Sequence, residues 1–524
     1  MKRFSVLAAL AALAAPFAAR AQDHVHVEEL GTVSFPVTCS AEAQALMHRG
    51  VAMLHSFWFP EARATFEAAA EADAGCGIAY WGVAMTHFGN PMAGGSGPQG
   101  QADGWDAAQR GAQMGARSDR DRAYLDAAQA LFRDHATRPN RERMVAYHAA
   151  LSTLVDRHPE DTEAKIFHGI FTVATASPTD LTFAQQKRAA EVLIPLYEAQ
   201  PQHPGLAHYI IHAFDAPPLA ASALEAARSY AGIAPAAPHA LHMPSHIFTR
   251  LGYWDESIAS NRRAADLEPA PGGKSHPLDY LVYAYLQQGR DGMAQSAIRE
   301  IAGSTAGEYI AGVLGGYNAL AMSARYTLER DDWAGAARLE VIQTAPAAEA
   351  VTRFARALGA ARSRDTAAAR EEIAALERLV GALRAQNDAY WSLVVDAQRL
   401  AVSAWVAQGE GRSAEALELA RRAADQEEQV EKHPVTPGPL IPARELLGDL
   451  LMAQGRPAEA LAAYEQTLER EPNRARTLTG AARAARAAGQ DEAARRYYRA
   501  VVDLLDAGSA RPELREATEF VSAR

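Results

Sequence analysis

The residues of this 524-residue chain best suited to chemistry are two histidine pairs. His208 and His212 stand four apart, and so do His242 and His246. Each member of the second pair follows its counterpart by 34 residues. Residues four apart share one face of a helix. If 34 residues make one unit of a stack, both pairs face the same side of neighbouring helices. Neutral imidazole is a common nitrogen ligand for Zn, Cu, Ni and Fe. Two imidazoles at i, i+4 can chelate one ion, as they do in H-E-x-x-H zinc sites. The motifs here are H-Y-I-I-H and H-M-P-S-H, so the glutamate base of those proteases is missing. The pattern predicts a divalent transition metal (Zn, Cu or Fe) held by His208, His212, His242 and His246.

Seven of the 17 histidines fall within 203–276: His203, His208, His212, His239, His242, His246 and His276. With Pro204, Pro238 and Ser275 as first residues of three successive units, His208 and His242 are fifth, and His212 and His246 ninth. His239 and His276 are second. Asp215 is twelfth in the first unit; Asp279 is fifth and Tyr283 ninth in the third. His239, His276, Asp215, Asp279 and Tyr283 are therefore candidates for a further ligand or for a group that orients one. The other Tyr and Trp residues here, including Tyr280, read as packing residues. Pro244 removes a helix N–H and predicts a helix start near Met243, with His242 flanking it. The competing reading is a metal-free polar groove, in which duplicated units carry duplicated histidines.

The elements that must position these residues are helices. Apolar residues recur at helical spacing almost throughout, and β-branched runs are few. A small-and-large apolar pattern with a turn between two helices repeats along the chain. Near the C-terminus, Leu447, Gly448 and Leu451 precede a turn at Gly455, Ala460 and Tyr464 follow, and Pro472 closes the unit. Ala482, Gly489, Ala494 and Tyr498 repeat it. In the middle, Leu241, Phe248, Gly252, Ala264 and Pro269 fit the same template. Gly50, Ala62, Phe66 and Ala69 fit near the N-terminus, and Gly82 begins the next unit.

This pattern resembles that of tetratricopeptide repeat (TPR) proteins, whose unit is 34 residues. The resemblance covers most of 40–505 and implies an all-α array of antiparallel helix pairs. It also implies that the second, fifth, ninth and twelfth positions of each first helix line a concave groove. The segments HPGLAHYIIHAFDAP, PHALHMPSHIFTRLGYWDES and EKHPVTPGPLIPARELLGD resemble those of a group of exported bacterial TPR proteins with no established activity.

Two segments interrupt the pattern. Gly89 to Gly104 is Gly-rich and is expected to be irregular, as a connection or a lid. Residues 431–442, with four prolines, are expected to form an extended, rigid linker. The organisation expected is therefore a signal peptide (1–21), an N-terminal extension (22–39), a TPR-like array (40–430) with its histidine-rich groove at 203–283, the linker (431–442), a C-terminal TPR pair (443–505) and a tail (506–524).

Lys2 and Arg3, the apolar run from Phe4 to Ala19 and the Ala19-Arg20-Ala21 pattern read as a secretory signal cut before Gln22. The mature protein is expected to be periplasmic or secreted, and no later stretch reads as a membrane span. Removing Lys2, Arg3 and Arg20 takes the net charge from −11 to −14, and there is no basic stripe, which argues against nucleic acid. Cys39 and Cys76 fall at the same end of adjacent units, so a disulfide is the expectation for an exported chain. His55 and His87 read as polar lining residues. His24 occupies the third place of the mature chain, a spacing that can chelate Cu(II) or Ni(II).

Three functions compete. The first is metal binding in the groove. The second is a metal-free scaffold that holds a peptide or protein, with Arg250 as the one nearby cation for a terminal carboxylate. The third is a metalloenzyme whose ion keeps an open position, with Tyr283 and Asp215 as proton-transfer groups. No phosphate loop, nucleophile elbow or Cys-x-x-Cys pair is present.

Overall fold

The computed structural model describes residues 29–268, 271–301 and 313–523. The expected signal peptide and His24 lie outside the described residues. Among those described, the regular elements are all helices, arranged as antiparallel pairs. The first pair, Ala41–His55 and Phe59–Ala72, shows why. Ser40 caps the first helix by accepting a hydrogen bond from the Ala43 N–H. Pro60 sits in the first turn of the second, where its missing N–H costs nothing.

The alternation of small and large residues is a packing requirement. The ring of Phe66 sits between Gly50 and Gly82, where an added Cβ would come within 2.6 and 2.5 Å of it. Tyr464 sits in the same way between Gly448 and Gly480, at 2.7 and 2.6 Å. One large ring from each second helix thus fills the notch left by glycines on two first helices. Gly455 and Gly489 end their helices with φ of 70° and 73°, the left-handed turn that favours glycine.

The Gly-rich stretch differs from expectation. Only Gly89 to Gly97 is irregular or short 3-10 helix; a helix spans Pro98–Met114. Pro98 starts it, and Gly104 lets the Phe132 ring approach to 2.2 Å from where a Cβ would stand. Packing therefore overrides the weak helix propensity of glycine.

One apolar core runs from Leu30 to Phe248 and a second from Tyr317 to Ala517, with a smaller one around Leu278, Leu281 and Leu286 between them. The C-terminal units fold back onto the middle. Trp254 Nε1 donates to the Asn473 carbonyl (2.9 Å), Ser509 Oγ donates to the Gly289 carbonyl (2.9 Å), and Arg511 pairs with Asp291 (2.6 Å).

Residues 431–442 do not act as a spacer between two arrays. Val435, Thr436, Leu440 and Ile441 are buried. Arg325 donates to the carbonyls of Gly438 and Pro439, Asn318 to that of Val435, and Tyr280 to that of Thr436. A proline-rich segment offers carbonyls with few N–H groups of its own, so buried side-chain donors complete it. At the other end, Cys39 and Cys76 form a disulfide with Cα atoms 5.3 Å apart. No helix among the described residues is long and apolar enough to cross a membrane.

Candidate metal centre

Three helical segments supply the histidines. Pro204–Phe214 begins with proline at N1 and carries His208 and His212. The next first helix is broken into Pro238–His242 and Pro244–Leu251. Pro244 causes the break, yet Met243 keeps helical angles (φ −54°, ψ −36°), so His242 and His246 stay on one face. Pro271–Gln287 carries His276 and Tyr280.

The histidines gather differently from the expected set of four. They form two triads, His208–His212–His239 and His242–His246–His276, and within each the ligand atoms lie within 4.8 Å of one another. Each triad takes the fifth- and ninth-position histidines of one unit and the second-position histidine of the next. The triads adjoin: the His212 and His246 rings are 6.1 Å apart, and those of His239 and His242 6.0 Å.

The outer contacts fix which nitrogen faces inward. His208 Nδ1 donates to the His55 carbonyl at 2.6 Å. His242 Nδ1 lies 2.7 Å from Asn261 Oδ1, and His246 Nδ1 lies 2.8 Å from Asp215 Oδ2. With Nδ1 protonated by these contacts, each Nε2 bears a lone pair. His242 Nε2 and His246 Nε2 then face one another at 3.0 Å, and His208 Nε2 faces His239 Nε2 at 3.1 Å. Among the described residues, neither ring nitrogen of His212 has a hydrogen-bond partner, although the residue is only 6% exposed. Burial, reinforced by the neighbouring imidazoles, holds His208, His212, His239, His242 and His276 well below the ordinary histidine range. Burial lowers His246 as well, against the pull of Asp215. Six buried imidazoles therefore converge, and those of His208, His242 and His246 turn their Nε2 lone pairs inward. An unpaired buried acceptor is costly, and a cation between the rings removes that cost.

Asp215 is an orienting group. Besides His246 it binds Arg250 (3.0 Å) and Lys432 (2.7 Å). Burial raises its pKa, but Lys432 and Arg250 more than reverse this and hold it below the usual carboxylate range. Burial brings Lys432 down to about 8, with Asp215 opposing. Arg250, read from sequence as a clamp for a peptide terminus, is thus engaged internally with Asp215 and Glu431.

Two expected members lie elsewhere. Asp279 pairs with Arg325 (3.0 Å) and accepts from Asn318 (3.1 Å), away from both triads. The Tyr283 hydroxyl accepts from Arg474 at 3.0 Å. Buried Arg325 and Arg474 need these partners, and that demand sets the rotation of the helix. Tyr280 takes the histidine face instead, with its hydroxyl 3.3 Å from His246 Nδ1 and its ring 5.0 Å from that of His242. Its spacing, four after His276 and 34 after His246, is the sequence signal for this place.

A third buried group has no counterpart in the sequence pattern. Glu163 bridges His55 (2.8 Å) and His203 (2.9 Å), and His55 Nδ1 reaches the Tyr209 hydroxyl (3.0 Å). Burial raises Glu163, but the two histidines hold it well below the carboxylate range. The sequence offers little signal for Glu163, a lone acid in the first turn of Thr162–Ala174. His87, the other expected lining residue, stands 3.9 Å from Asp103.

Residues 451–507 match a tetratricopeptide repeat family model. No curated protein sequence matches the chain. Among solved structures, yeast Tom70 aligns at 12% identity over 92% of this chain and 95% of its own, with a TM-score of 0.31. A structure of Naa15/Naa10 bound to HypK-THB aligns at 12% identity over 91% and 74%, with a TM-score of 0.24. The chain carries tetratricopeptide repeats at 451–507, and its other described residues continue an array of antiparallel helix pairs.

Proposed function

We propose that this is an exported helical-repeat protein that binds transition-metal ions, one in each histidine triad. The observation that carries the reading is the pair of Nε2 atoms of His242 and His246, 3.0 Å apart, with both Nδ1 atoms committed to Asn261 and Asp215. Metal-bound histidines commonly donate their other nitrogen to a carboxylate or carbonyl oxygen, which fixes the tautomer that can bind. Zn, Cu and Fe all accept imidazole. Export is supported by the apolar run after Lys2 and Arg3 and by the Cys39–Cys76 disulfide. A peptide scaffold is less favoured here, because the chain's own 432–442 segment already lies against the histidine face at Tyr280.

Titration of metal-free protein with Zn2+ tests the reading. Wild type is expected to take two ions per chain, and His212→Ala and His246→Ala one fewer each, with unchanged helical circular dichroism. Equal uptake by all three proteins would overturn the assignment.

A further inference from the structure

The two triads differ from ordinary two-ion sites in having no carboxylate among their six donors. Di-iron and di-manganese bundles place glutamates on the ions. Such carboxylates offset the charge of two divalent cations. Here the nearest acid, Asp215, is already shared by His246, Arg250 and Lys432. Six neutral imidazoles beside a buried lysine and arginine suit a low total charge. Copper meets this condition, because two Cu(I) ions bring only two positive charges, and imidazole binds copper in both oxidation states.

The walls add a second condition. Phe57 covers the first triad, 4.5 Å from the His208 ring and 5.1 Å from His239, and Tyr230 stacks on His208 at 5.2 Å. These rings cover one side of the first triad. Three donors per ion leave a coordination position open, and rings of the adjoining triads stand 6.0–6.1 Å apart. With each metal about 2 Å from its nitrogens, one small ligand can touch both ions. A cavity of about 270 Å³, lined in part by Val173, Phe183, His212 and Asp215, gives a route to the first triad.

Resting on the metal-binding reading above, we propose that the two triads together form a dinuclear copper centre that binds dioxygen between its ions. Each Cu(I) gives up one electron. Dioxygen takes both and becomes peroxide, its O–O bond falling from double to single. No proton moves and no protein bond breaks. The site carries two positive charges before and after, since two Cu(II) and one peroxide sum to the same value as two Cu(I). The buried surroundings therefore need no compensating ion. Loss of dioxygen returns both electrons to copper.

The test uses the full mature chain, freed of metal and loaded with Cu(I) without air. Expected are two copper ions per chain and, on admitting air, one dioxygen taken up per chain. An intense near-ultraviolet charge-transfer band should appear with no Cu(II) paramagnetic resonance signal, because the two spins couple through the bridge. Evacuation should reverse all three changes. His276→Ala and His239→Ala each remove one ligand from one triad, so each should abolish dioxygen uptake while the helical dichroism is kept. If one variant fails to fold, the other carries the comparison. Two copper ions per chain that oxidise to a full, uncoupled paramagnetic signal would overturn the dinuclear inference and leave metal binding standing. So would protein that holds two zinc ions and rejects copper. Failure to hold any transition metal would end the underlying reading.

Discussion

Two regions of this molecule bury histidines, and they settle their electrostatics in opposite ways. At His55–Glu163–His203, a carboxylate lies between two rings and gives each a hydrogen-bond partner within 2.9 Å. At the two triads, ring nitrogens meet ring nitrogens, and the polar partners Asn261, Asp215 and the His55 carbonyl stand outside. In the first cluster the carboxylate answers one nitrogen of each ring, and Tyr209 answers the other nitrogen of His55, while His203 Nδ1 has no hydrogen-bond partner among the described residues. The second sets ring nitrogens against ring nitrogens, an arrangement that a cation would complete. Proximity of histidines is therefore a weak sign of a metal site. The better sign is which nitrogen is already committed and what the other one faces.

The contrast can be broken most forcefully at Glu163. Glu163→Ala leaves two buried rings without their acid and should cost about 3–5 kcal/mol of stability, while metal uptake stays at the wild-type level. Denaturant unfolding beside metal analysis checks both halves. The acid response gives the sign. Because its folded pKa lies below the ordinary 4.5, Glu163 contributes stability that is present above that pH and lost as pH falls below it. The melting temperature of Glu163→Gln should therefore fall less steeply below pH 4.5 than that of wild type. An equally steep fall would place the charge of Glu163 outside the stability of this cluster.

Metal is the next lever. With metal at about 100 times its dissociation constant, wild type should gain about 2.7 kcal/mol per site by mass action, and chelation should remove the gain. His212→Ala and His246→Ala should each show a smaller gain. Their metal-free melting should change little, since a repeat array draws stability from all its neighbouring interfaces. A thermal melt with and without Zn2+ reads this directly, and equal gains in all proteins would return the triads to the class of the Glu163 cluster.

A smaller effect is expected one shell out. Asn261→Ala frees His242 Nδ1 and should weaken metal binding about 10–100-fold while leaving the ligand count intact. Competition with a chelator of known affinity measures it. Tyr280→Phe should change least, less than about tenfold, because Asp215 already binds His246 Nδ1 at 2.8 Å against 3.3 Å for the Tyr280 hydroxyl.

Much of this arrangement is legible in the sequence. The 34-residue spacing of the histidine pairs is read from periodicity, whereas the placing of His276 at a second position also needs a unit start at Ser275, three residues beyond the period. The grouping is not legible. A repeat tells which residues face one side, but not whether a ring pairs along its own helix or with the next one. The exchange of Tyr283 for Tyr280 has a similar cause, since the turn of Pro271–Gln287 answers to buried Arg325 and Arg474 far along the chain. The prolines of 431–442 announce an extended segment. Its place against Tyr280 depends on carbonyls that only the folded chain brings to Arg325 and Asn318.

The most direct test of the central claim is the metal content of the protein purified without chelator and without a nickel affinity step. Elemental analysis against protein concentration should give two transition-metal ions per chain, and one in His276→Ala. One ion per chain would favour a single site built by His208, His212, His242 and His246. No bound metal in protein that still takes up none on addition would contradict the account.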